Sequence, residues 1–321
     1  MGRYIARRLL QAIPLLLLIS VFAFFLIRAS GDPMSMYGVN PNMSAADRER
    51  IIKMHGWDKP KIVQYFYWLR DVLRGDWGNS LYTYQPVTEM ILDRLPNTLI
   101  LMGTVFIVTL LVAIPLGIYS AIHQYSGADY IVTGVAFFAF ALPTFWLGLI
   151  CIMIFSVKFK QWGLPSLPAG GMYSLTDGPN LLGLLQHLIL PTFVLSIVSM
   201  ASYIRYLRAS MLEVLRHDYV RTARAKGLNE RRVIYTHAFK NALVPLVTLV
   251  TMNIPGIFSG ALITEQVFAW PGMGRLFVDH AARADYPVLM GLVMCVSVLV
   301  VFFNLVADIA YAYLDPRIRF S

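Results

Sequence analysis

Apolar residues along this chain come in long unbroken runs, separated by short polar stretches and two longer ones. Six runs reach the roughly 20 residues needed to cross a hydrocarbon core: near 9–29, 97–122, 130–157, 183–204, 242–263 and 287–312. The first contains only Gln11 and Ser20 as polar positions through residue 27, a longer apolar stretch than the usual core of a cleaved leader. Arg28 also stands where small residues precede cleavage, so the run reads as a membrane helix. The pattern predicts an all-α polytopic membrane protein.

The longer polar stretch 30–96 carries two helical signals. Ser44-Ala-Ala-Asp47 resembles a capping box, and Gly56 follows Ile51, Ile52 and Met54 as a stop. A second helix begins near Pro60 and places Ile62, Tyr65, Phe66, Trp68 and Leu69 along a stripe before Gly75 ends it. That stripe packs on a membrane-domain roof or on headgroups, or it binds a ligand; packing is the simpler reading. Trp162 to Pro179 is rich in glycine and proline and reads as irregular structure. The expected domains are therefore a first helix 1–29, a helical insertion 30–96, and a core 97–321 carrying a polar loop at 205–240.

Composition agrees with the pattern. Apolar residues are 57% of 321 positions, charged residues 14%, and the mean hydropathy is +0.61, whereas a soluble domain has about 25% charged residues. The formal charge of +9 fits basic cytoplasmic loops and requires no nucleic acid. Most of it sits at 205–240, where nine Lys/Arg face three acids for a net +6. Such a loop belongs in water, and its sign favours the cytoplasm. Six spans then put both termini there too, with Arg3, Arg7 and Arg8 at one end and Arg317 and Arg319 at the other. Loop 123–129 breaks the rule by lacking Lys and Arg, and Lys158 and Lys160 fall outside. The insertion 30–96 balances eight bases with eight acids and is long enough to escape the rule.

Residue by residue, the basic loop reads as a helix, a glycine turn and a second helix. The fourth span continues through Met211, Leu212, Val214 and Leu215. Asp218 caps a short helix, Tyr219 to Lys226, which Gly227 stops in a left-handed conformation; Asn229 caps the next. Within the short helix, Thr222, Ala223 and Ala225 are small enough for a neighbouring surface to approach closely. Tyr219 is an amphipathic anchor beside Val220, and Arg221, Arg224 and Lys226 carry charge. This suits a groove on a soluble partner; a basic loop that merely sets orientation is the alternative.

Asp218-Tyr-Val-Arg-Thr-Ala-Arg-Ala-Lys-Gly227, followed by Pro245, resembles the EAA loop of ABC importer permeases, with Arg221 where the general pattern has Glu. Further matches are Gly31-Asp-Pro33, Gly75-Asp-Trp-Gly-Asn-Ser80, Leu95-Pro-Asn-Thr98, Leu190-Pro191 and Ser210-Met-Leu-Glu-Val214. Others are Trp270-Pro-Gly-Met-Gly274, Asp285-Tyr286, Asn304 with Asp308, and Asp315-Pro-Arg-Ile-Arg319. Together they resemble the B-type permease subunits of dipeptide and oligopeptide importers. The resemblance implies a type I importer fold with the insertion in the periplasm, in the cytoplasmic membrane of a prokaryote. It also implies a second homologous permease subunit in a heterodimer, two ATP-binding subunits and an extracytoplasmic solute-binding protein. Related subunits for nickel, glutathione and other solutes share these signatures.

No glycine is followed by lysine, so a Walker A sequence is absent and ATP with Mg is expected on partner subunits, with no cofactor on this chain. There is no HExxH or GxSxG, and no catalytic residue is expected. Cys151 and Cys295 lie in predicted spans and read as packing residues, with no metal site. Candidate path residues are Asn253, Glu265, Asn304 and Asp308. Asn304 and Asp308 share a helix face; a structural hydrogen-bonding role is favoured over a proton relay, which would suit an ion-coupled secondary carrier. Trp270, Pro271 and Gly272 form a segment that contacts a docked binding protein, closes the path's roof or anchors at the interface. Prolines 14, 115, 143, 191, 245 and 255 suit helices lining an enclosed path, or plain kinks. Gly256 and Gly260 permit close helix approach.

Overall fold

The computed structural model describes residues 2–29, 44–54, 56–174 and 178–314. The motifs Gly31-Asp-Pro33 and Asp315 to Arg319, with Arg317, lie outside them. The helices in order are α1 Gly2–Ala29, α2 Ala45–Met54, α3 Lys61–Leu73, α4 Val87–Ile122, α5 Gly127–Ala141 and α6 Thr144–Cys151. There follow α7 Phe159–Gln161, α8 Leu181–Leu215, α9 Asp218–Ala225, α10 Glu230–Arg232 and α11 Lys240–Asn253. Last come α12 Gly256–Ser259, α13 Leu262–Val267, α14 Met273–Ala281 and α15 Tyr286–Leu314. Two π-helical stretches, Ile152–Lys158 and Val233–Phe239, join α6 to α7 and α10 to α11. Among the described residues, six helical stretches are long and apolar enough to cross a membrane. The all-α expectation holds.

The boundaries differ from the hydropathy reading in three places. The second span starts at Val87, not 97, because Val87, Met90 and Ile91 form a buried face at helical spacing while Glu89 sits in the first turn. The third run, 130–157, is two helices. Pro143 follows Leu142, which is forced into the extended region (φ −81°, ψ 133°), and the membrane-length piece is Thr144–Gln161. The fifth begins at Glu230 and turns at Ile254–Pro255. Pro14, Pro191 and Pro245 stay inside their helices. Among the described residues, a Cβ on Gly256 would meet no atom within 4 Å.

The chain divides into two compact units. The first comprises the described parts of 1–98, 258–262 and 271–305. In it, α1 packs on α3: the Ser20 and Tyr65 hydroxyls are 2.8 Å apart, and the Phe24 and Tyr65 rings meet edge-on at 5.5 Å. The aromatic stripe of α3 thus divides, with Tyr65 buried, Trp68 half-buried and Phe66 exposed. A second core joins Val87 and Ile91 to Met273 and Leu276 of α14 and to Val288 and Leu292 of α15.

The second unit comprises 99–257, 263–270 and the described part of 306–321. Here α8 is central and packs against α5, α6 and α11. Asn180 caps it by accepting from the Gly183 N–H at 2.6 Å. Its largest core gathers Ala113, Ile118 and Ala121 of α4 with Leu207 and Met211 of α8, then Val220, Val233 and Leu246.

Candidate functional site

The short helix of the basic loop is α9, and its geometry is two-faced. Val220 and Ala223 are buried in the large core of the second unit, while Asp218, Tyr219, Arg221, Thr222, Arg224 and Ala225 are exposed, as are Lys226 and Gly227 beyond it. A helix this short gains little from its own hydrogen bonds, so those two inward contacts hold it. Through them α9 shares one core with the ends of α4 and α8 and with the π-helical stretch before α11.

The cap differs from expectation by one residue. His217, extended at φ −67° and ψ 146°, occupies the N-cap position without a side-chain bond, and Asp218 is the first helical residue. The Asp218 carboxylate still faces the positive helix end, which needs only the first turn. Its ion-pair partner is Arg221 at 3.8 Å. The helix ends as expected: Gly227 has φ +76°, and a Cβ there would meet nothing within 4 Å, so backbone conformation alone calls for glycine. Asn229 accepts from the Arg231 N–H at 3.0 Å, and Arg224 bridges to Glu230 at 2.7 Å. Arg224 is thereby held closely to Glu230, Arg221 only loosely to Asp218, and Tyr219 and Lys226 are exposed beside them.

Sequence reasoning missed a second feature of this region. Asp129, in the first turn of α5, is buried and accepts two hydrogen bonds from Arg208 of α8. It also accepts from the Ser120 hydroxyl of α4 and from the Tyr125 N–H at 3.0 Å. The Arg208 guanidinium holds its carboxyl well below the usual carboxylate range; burial opposes this, and the Ser120 and Tyr125 bonds reinforce it. One carboxylate so ties the ends of three helices. Tyr125, in a left-handed conformation at φ 64°, is kept there by the same acceptor.

The candidate path residues are dispersed. Asn253 is exposed near the end of α11, donating to the Leu249 carbonyl at 2.7 Å. Glu265 in α13 is fully buried, and its carbonyl accepts from the Trp270 N–H at 2.8 Å. Asn304 is exposed and Asp308 half-buried on α15. Trp270 is itself fully buried among Leu101, Val105, Met172 and Leu188. Pro271 is half-buried and Gly272 is buried, at the N-cap of α14.

In the first unit the structure joins motifs that the sequence left separate. Asn97 donates to the Pro271 carbonyl at 2.9 Å, and the Thr98 hydroxyl accepts from the Met273 N–H at 2.8 Å. Ser80 donates to Asp285 at 2.5 Å, where the Leu81 N–H and His280 Nδ1 also converge. Among the described residues no group of three or more His, Cys, Asp or Glu side chains is placed to hold a metal ion. Cys151 and Cys295 are free thiols.

Residues 113–320 match the family described as binding-protein-dependent transport system inner membrane component, and residues 1–102 match the N-terminal membrane component of the same systems. The chain belongs to this family of transport permeases. It is 46% identical over 322 residues, covering all of both chains, to the oligopeptide transport system permease protein AppB of Bacillus subtilis (strain 168). It is 36% identical over 341 residues, covering 99% of both, to the dipeptide transport system permease protein DppB of Escherichia coli (strain K12). The permease is therefore a multi-pass membrane protein and a transporter subunit.

Proposed function

We propose that this permease forms half of a peptide path through the cytoplasmic membrane of a prokaryote, in an importer driven by ATP on separate subunits. The observation that carries this reading is the two-faced α9: its inner face is fused into the core of the membrane helices, and its outer face is cationic and aromatic. The peptide relatives, aligned over the full length, support the cargo class. In this reading residues 205–240 and both termini face the cytoplasm and 30–96 face outward. Of two ATP-binding subunits, carrying ATP and Mg, one docks on Tyr219–Gly227. A second permease subunit completes the conduit as a heterodimer, and a solute-binding protein delivers cargo near Pro271 and Gly272. Asn253, Glu265, Asn304 and Asp308 serve the path or its gating.

The test is uptake of labelled peptide by vesicles holding the full complex, before and after the outward residues Tyr219, Arg221 and Lys226 are replaced together by serine. Loss of ATPase co-purification and of uptake is expected. Undiminished docking and uptake would refute the reading.

A further inference from the structure

Helix α3 carries more apolar surface than the rest of the first unit covers. Tyr65 and Trp68 turn inward onto Phe24 of α1, with ring centroids 5.5 and 6.0 Å away, and Leu69 packs beside them. Ile62, Phe66 and Leu73 continue that surface around the helix. With Leu69 they recur at spacings of four, three and four, which is one side of a helix. Among the described residues these three are 61%, 60% and 78% exposed. The polar groups take the remaining side and satisfy one another locally: Arg70 pairs with Asp71 at 2.8 Å, and Gln64 donates to the Trp57 and Lys59 carbonyls at 3.1 and 2.8 Å.

The depth of this helix follows from its contacts with α1. The apolar run of α1 lies between Arg8 and Arg28, a rise of roughly 30 Å that matches the thickness of a hydrocarbon core. Tyr65 meets Ser20 through its hydroxyl and Phe24 and Phe25 through its ring. Along the axis of α1 those partners lie about 4 to 12 Å inside the level of Arg28. The Arg28 guanidinium stands 5.6 Å from the ring of Trp57, in the turn before α3, so that turn is at the same level. At this depth α1 is surrounded by lipid, and its own Phe22 and Leu26 are exposed there. The apolar strip of α3 therefore lies where headgroups give way to acyl chains.

We propose that α3 is an interfacial helix lying in the bilayer surface at the C-terminal end of α1. Ile62, Phe66 and Leu73 enter the acyl chains, and Arg70 and Arg74 stay among the headgroups. The strip suits lipid better than protein. Three side chains fall short of the roughly 800 Å² per partner of a stable protein interface, whereas lipid requires no matching shape. The locally paired charges leave no excess to attract an acidic partner. The proposal requires only that α1 crosses a membrane. Which leaflet α3 enters rests on the proposed orientation, so a failure of the α9 experiment leaves this test intact.

The experiment is spin labelling of the full permease complex in dioleoylphosphatidylcholine vesicles. Cys151 and Cys295 are replaced by alanine, and Ile62→Cys, Phe66→Cys, Leu73→Cys and Arg74→Cys are labelled one at a time. Collisions with oxygen, which concentrates in hydrocarbon, are compared with those of a water-soluble nickel chelate. The ratio of oxygen to nickel collisions should be several-fold higher at positions 62, 66 and 73 than at 74. Nickel-dominated collisions at all four would put the strip in water and overturn the proposal. Low collision rates with both reagents at 62, 66 and 73 would show that protein covers it, and would overturn it equally. Should the alanine background fail to assemble, a photoactivatable amino acid at Phe66 in the otherwise unaltered complex gives the same reading. Cross-linking to phosphatidylcholine is then expected, and cross-linking to protein alone would refute the assignment.

Discussion

Arg208 grips Asp129 from 79 positions away with two parallel hydrogen bonds, Nε to Oδ1 at 2.8 Å and Nη2 to Oδ2 at 2.7 Å. The carboxylate side chain is 3% exposed and the guanidinium 25%, so water screens the pair little. Asp129→Asn removes the charge and leaves Arg208 facing a group that cannot accept both bonds. The expected loss is about 3 kcal/mol, read as a lowered thermal midpoint of the purified chain in detergent. Arg208→Lys should fall between the two, keeping charge but only one bond. An unchanged midpoint in Asp129→Asn would show that the node is idle.

Asp285 offers a pH test. Burial alone would raise its pKa, but hydrogen bonds from His280, Ser80 and the Leu81 N–H outweigh that and hold the carboxyl below its ordinary value. A depressed folded-state pKa contributes stability that is present above the unfolded value of about 3.9 and drains away as pH falls through the folded one. Asp285→Asn should therefore flatten the acid limb of a stability-versus-pH curve measured between neutral pH and pH 3. If the acid limbs of the variant and wild type superimpose, the carboxylate is not the group responsible.

The faces of α9 predict opposite phenotypes from neighbouring residues. Val220 is fully buried, and Val220→Asp places an unpaired charge in the core at a cost of about 3 kcal/mol. Arg221 is exposed, and Arg221→Glu should change stability by less than about 0.5 kcal/mol. Under the proposed docking, the same change should reduce ATP-dependent uptake about tenfold by reversing charge at an interface. Melting curves and uptake, measured on both variants, separate the two effects. Equal loss of stability in both would contradict the assigned faces.

Gly291 of α15 packs so close to α4 that a Cβ there would clash with Val87 Cγ1, and Val87 is itself fully buried. Gly291→Ala should cost about 2 kcal/mol through overpacking. Val87→Ala, destabilising alone, should recover part of that loss when combined with it. Simple additivity in the double-mutant cycle would place the strain elsewhere.

Local signals carried much of the fold. Gly75 and Gly227 stop helices with positive φ, and Pro60 and Asn229 stand at helix starts, because turn and cap chemistry is decided within a few residues. The break at Leu142–Pro143 had its signal in the proline. Hydropathy alone could not distinguish a kink from an interruption, since both halves are equally apolar. The basic loop was legible as a helix, a glycine turn and a second helix from its cap and turn residues. That Ala223 turns inward while Ala225 turns out depended on which side the core lay.

What the chain determines by itself is a membrane protein of six spans with a charged, water-exposed loop, since the cost of placing apolar and charged groups in water or hydrocarbon is set residue by residue. Which carboxylate meets which donor was settled only in three dimensions. Asp129 finds Arg208, Ser80 finds Asp285 across 205 positions, and Asn97 finds Pro271 across 174. In sequence any acid can serve any donor. Packing of α4, α5 and α8 excludes water around one pairing, and a buried polar group must then bond to whatever the fold has brought within 3 Å.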